Sequence, residues 1–76
     1  MDENNVRTER TTFIIPKLQN EKGREMIINN LRAIQGVSNL YVDQDQNCLE
    51  ITFDPTIASP TQFANLIRQL ECTHSE

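Results

Sequence analysis

The sequence predicts an α+β domain in which two helices cover one face of a four-stranded antiparallel sheet. Three observations predict it. Apolar residues recur at helical spacing in two segments and alternate in the segments between them. The segments run strand, helix, strand, strand, helix, with a short final strand expected near Cys72. The chain has 76 residues, room for one domain only, so every apolar face must meet in a single core.

Residues 1–10 (MDENNVRTER) hold one aliphatic side chain, Val6. Such a stretch buries too little to offset its ordering entropy, so a disordered tail is expected there. The domain is expected over residues 11–74, with 75–76 as a second tail. Thr11 to Leu18 (TTFIIPKL) is β-branched and aromatic and reads as a strand. Phe13 and Ile15 share one face, and Thr12 and Ile14 share the other. Pro16, which has no N–H to donate, stops the ladder near its end.

A helix is expected from about Glu21 to Gln35. Asn20 can cap its first turn by accepting from an orphan N–H, and Glu21 suits the positive end of the dipole. Ile27, Leu31 and Ile34 form the stripe, flanked by Met26 and Ile28. Gly36 follows, free to take positive φ. A hairpin comes next. Leu40 and Val42 alternate over Asn39 to Val42, residues 43–47 (DQDQN) form a turn cluster, and Leu49, Ile51 and Phe53 point inward from a strand over Cys48 to Asp54. Ser59-Pro60-Thr61-Gln62 is a capping box with proline at the first helical position. Phe63, Leu66, Ile67 and Leu70 form the stripe behind it. With right-handed crossovers this order makes a ferredoxin-like βαββαβ sandwich of strand order 4-1-3-2. The loop over Pro16 to Gly23, the turn over Asp43 to Cys48, and Cys72 then share one end of the domain.

Composition excludes several functions. Seven Lys and Arg against eleven Asp and Glu give a net charge of -4, which disfavours nucleic acid because phosphates need a basic patch. Tyr41 is the one clear aromatic residue for an RNA-stacking sheet face. No apolar run approaches the length of a membrane span, and there is no secretory signal pattern, so neither membrane insertion nor export is expected. Two cysteines are too few for a disulfide framework, and a cytoplasmic, reducing setting is the simpler expectation. One histidine and two glycines leave no catalytic triad and no phosphate-cradling loop. The chain is not expected to be an enzyme.

The run from about Thr11 to Cys72 resembles the heavy-metal-associated (HMA) domain of copper chaperones and metal-transporting P-type ATPases. The resemblance rests on Ile27, Leu31 and Ile34 followed by Gly36-Val37, on Ser38-Asn39-Leu40-Tyr41-Val42, on Ile51-Thr52-Phe53-Asp54-Pro55, and on a helix starting after Ser59. It implies a context of metal-ion transport or homeostasis. It also implies a docking surface at the first loop and helix, here Lys17, Asn20, Glu21, Lys22 and Arg24. The partner would be an ATPase or other HMA-like domain, or a second copy of the chain.

The metal motif of that family is missing. Its two cysteines would fall on Asn20 and Gly23, and its methionine on Leu18. Soft metals need soft ligands, and these residues supply none. A divergent site is conceivable at Cys72 and His74, which share a side in an extended segment, with Cys48 or Glu21 completing it. A thiolate and an imidazole suit Cu, Zn, Co or Ni, yet a structural zinc takes four ligands. The plainer readings are Cys72 as a small apolar residue, Cys48 as an ordinary strand residue, and Met26 as core or helix surface. Two functions follow: an HMA-like domain of a metal pathway with a divergent site, or a metal-free module for protein interaction or dimerisation.

Overall fold

The computed structural model describes residues 7–72, without the side chain of Cys72. Strand β1 (Glu9–Ile14) leads through a single 3₁₀ turn (Pro16–Gln19) into helix α1 (Glu21–Arg32). Strand β2 (Val37–Asp43), a second 3₁₀ turn (Gln44–Gln46) and strand β3 (Cys48–Phe53) form the hairpin. Helix α2 (Pro60–Cys72) follows.

The sheet is three-stranded, in the order β1-β3-β2, with both pairings antiparallel. This corrects the expected four-stranded ferredoxin-like sheet. The part that forms keeps the expected 1-3-2 order, but Cys72, where a fourth strand was expected to start, is the last residue of α2. The physical reason is local. The stripe Phe63, Leu66, Ile67 and Leu70 packs on the core, and Gln69-Leu70-Glu71 are good helix formers with no glycine or proline to stop them. Residues 73–76 lie outside the described residues, and among those described the outer edge of β1 has no partner.

Two further boundaries move. β1 starts at Glu9, so the last residues of the expected tail, Glu9 and Arg10, pair with Phe53 and Thr52. α1 ends at Arg32, and Ala33 to Gln35 form turns before Gly36, whose φ is +102°. Glycine is required there. A Cβ at Gly36 would stand 3.0 Å from Ile57 Cγ2, in a backbone conformation L side chains rarely adopt.

One core joins all the elements. Leu49, Ile51 and Phe53 of β3 are buried with Ile27 and Leu31 of α1, Phe63 and Ile67 of α2, and Ile15 and Leu18 of the first loop. Both helices therefore cover the same face of the sheet. Phe53 and Phe63 meet edge to face, centroids 5.1 Å apart at 80°, the geometry their ring quadrupoles favour. Among the described residues the opposite face is uncovered. Thr12, Glu50 and Tyr41 make one row across it and Ile14, Cys48 and Asp43 the next. Ile14 is 67% exposed and Tyr41 60%.

Candidate functional site

The concave feature that draws the expected residues together lies at the start of α1. Asn20 caps the helix, its Oδ1 accepting from Gly23 N at 3.0 Å. The 3₁₀ turn before it is held by Asn20 N donating to Lys17 O (3.1 Å) and by Arg24 Nη1 donating to Leu18 O (3.0 Å). Leu18 anchors the turn, with no exposed surface.

Lys17 then crosses the helix. Its stem lies over Gly23, so that a Cβ there would stand 2.9 Å from Lys17 Cγ and 3.0 Å from Lys17 O. Its ammonium reaches the last turn of α2 and donates to Leu70 O (3.2 Å) and Glu71 O (3.4 Å). A cation suits the negative end of a helix, a contribution of roughly 0.3–1 kcal/mol at exposed sites. On the other side, Gln19 Nε2 donates to Gln44 O (2.6 Å) and Asn47 Oδ1 (2.7 Å). Asn47 takes the left-handed conformation, φ 56°, and its carbonyl accepts from Ile15 N at 2.7 Å. The first loop, the hairpin turn and the end of α2 thus share one end of the molecule.

Lys17, Asn20, Lys22, Gly23 and Met26 line a cavity of about 370 Å³ at this end. Of the five expected docking residues, three therefore face one concavity. Glu21 is exposed in the first turn, and Arg24 is half-buried on the carbonyl of Leu18. Gly23 and Met26, the latter expected as core or helix surface, also belong to the lining. Lys17 and Gly23 are coupled by packing across six residues of a turn and a helix, which no periodicity announces.

The two positions where the resemblance places metal-binding thiolates do not fit a metal. The oxygen of Asn20 is tied to the helix N-terminus, and Gly23 offers only backbone, covered by Lys17. Among the described residues no group of three or more His, Cys, Asp and Glu side chains is placed to hold an ion. Cys48, on β3, is a half-buried free thiol on the open sheet face, with Sγ 3.6 Å from Gln46 O. The helices lie on the other face, so Cys48 is not brought beside α2. The candidate ligands His74 and the Cys72 side chain lie outside the described residues. No helix among the described residues is long and apolar enough to cross a membrane. Compared with protein-family models and with curated proteins, the chain matches none.

Proposed function

We propose that this chain is a metal-free protein-docking domain, a divergent relative of the HMA domains that acts in the cytoplasm in a metal-homeostasis setting. It docks a partner domain through the start of α1, by Lys17, Asn20, Glu21, Lys22 and Arg24, and performs no catalysis. The observation that carries this reading is the use of the two thiolate positions. Asn20 serves as a helix cap and Gly23 as a seat for the Lys17 stem, so both now maintain the shape of a surface. Lys22 is exposed there with no partner among the described residues, and free charges at a rim speed and orient docking.

The exposure of Ile14 and Tyr41 favours a second reading, in which the open sheet face buries itself against a second copy. The Arg10–Glu50 ion pair on that face (Nη1 to Oε2 3.9 Å) opposes it, because burying the pair against a second copy would cost its desolvation.

The experiment is site-specific photo-crosslinking in cells, with the crosslinker placed at Glu25, beside the cavity, or at Tyr41, on the open face. A partner captured from position 25 and lost on Lys22→Glu is the expected result. Capture from position 41 alone, or capture from position 25 that Lys22→Glu does not change, contradicts the reading.

A further inference from the structure

The cavity at the start of α1 has a chemistry that protein docking does not use up. Its volume of about 370 Å³ sits at the small end of the ~300–1,000 Å³ typical of small-molecule sites. One partner side chain would leave most of it empty. Among the described residues its charged lining is Lys17 and Lys22, with no carboxylate. Lys17 already gives hydrogen bonds to Leu70 O and Glu71 O, whereas Lys22 has no partner among the described residues. The remaining lining is the Asn20 amide, whose Oδ1 already accepts from Gly23 N, the thioether of Met26, which adapts to irregular shapes, and the backbone of Gly23.

We propose that this cavity binds a small organic anion, a carboxylate head on a short apolar body. Lys22 meets the head, and Met26, Gly23 and the Lys17 stem enclose the body. Inorganic phosphate fits less well, because it has no apolar part to set against Met26 and the Lys17 stem, and Arg24 and Gly23 N are already engaged with Leu18 O and Asn20 Oδ1. The proposal is independent of the docking partner.

The test is a titration of the full chain, followed through its backbone amide resonances. The probes are hexanoate, hexanol, inorganic phosphate and a blocked Leu-Glu-Leu peptide. Hexanoate is expected to shift the amides of Lys17, Asn20, Lys22, Gly23 and Met26 and to bind at least about threefold tighter than hexanol. Lys22→Met, at an exposed position that leaves the core intact, is expected to weaken hexanoate about three- to fivefold, as an exposed ion pair allows, and to leave hexanol unchanged. Equal binding of hexanoate and hexanol, or no effect of Lys22→Met, overturns the proposal. So does phosphate binding as tightly as hexanoate. A peptide more than tenfold tighter than hexanoate also overturns it and returns the cavity to the docking surface. Failure to capture a partner from position 25 touches the docking reading alone.

Discussion

Replacing Gly23 with alanine separates two accounts of the glycine in α1. If Gly23 were merely a poor helix residue, Gly23→Ala would stabilise the protein by about 1 kcal/mol, the difference in helix propensity. The structure opposes this. The new Cβ would stand 2.9 Å from Lys17 Cγ, 3.4 Å from Lys17 Cδ and 3.0 Å from Lys17 O. The stem is flexible, but moving it withdraws the ammonium from Leu70 O and Glu71 O. The carbonyl is less free, since it accepts from Asn20 N at 3.1 Å within a turn whose first residue, Pro16, has its φ fixed by the ring. Overpacking of this kind costs ~1–3 kcal/mol. Set against the propensity gain, the expected net effect is a loss of about 1 kcal/mol, or roughly 4–8 °C in Tm for a domain of this size. Urea and thermal unfolding measure it. A double-mutant cycle with Lys17→Ala, which removes Cγ and Cδ, is expected to recover at least ~0.5 kcal/mol of coupling between the two sites. Stabilisation by Gly23→Ala in the wild-type background would refute the reasoning.

Two other outcomes follow from individual contacts. Ser59 Oγ accepts from Gln62 N at 3.3 Å, so Ser59→Ala is expected to lower stability by about 1 kcal/mol, as loss of an N-cap does, measured by urea unfolding with unchanged slope. The Asp54 carboxyl lies below its ordinary value of 3.8 because the Thr56 hydroxyl and then the Thr56 N–H donate to it. A depressed folded pKa means that these bonds stabilise the fold above the unfolded value and are lost as pH falls through the folded one. Carboxyl resonances should therefore show Asp54 titrating below 3.8, with Thr56→Val moving it back upward.

Much of the fold is legible in local pattern because short-range chemistry decides it. Asn20 as a cap, Gly36 at positive φ, the inward set Leu49, Ile51 and Phe53, and the Ser59 cap are all read from neighbours within a few residues. The end of α2 is not. Gln69 to Cys72 carry no stop signal, and the expectation of a fourth strand there came from a complete topology rather than from those side chains. The start of β1 is hidden for a related reason. Glu9 and Arg10 are exposed, so they show no apolar alternation although their backbone is paired. In the candidate site, Lys17, Asn20 and Lys22 are singled out as docking residues only by what the resemblance implies. The cavity they line is not legible, because it depends on Lys17 lying over Gly23 and reaching α2, a contact between residues 53 apart.

The most direct test of the central claim is a metal titration of the reduced chain. Cu(I), Zn(II), Co(II) and Ni(II) would each compete with a chelator, with Cys72→Ala/His74→Ala measured in parallel. The account predicts no binding tighter than the chelator in either protein, with the fold intact in both. Tight binding that the double substitution abolishes would contradict it and place a metal site at the C-terminal end.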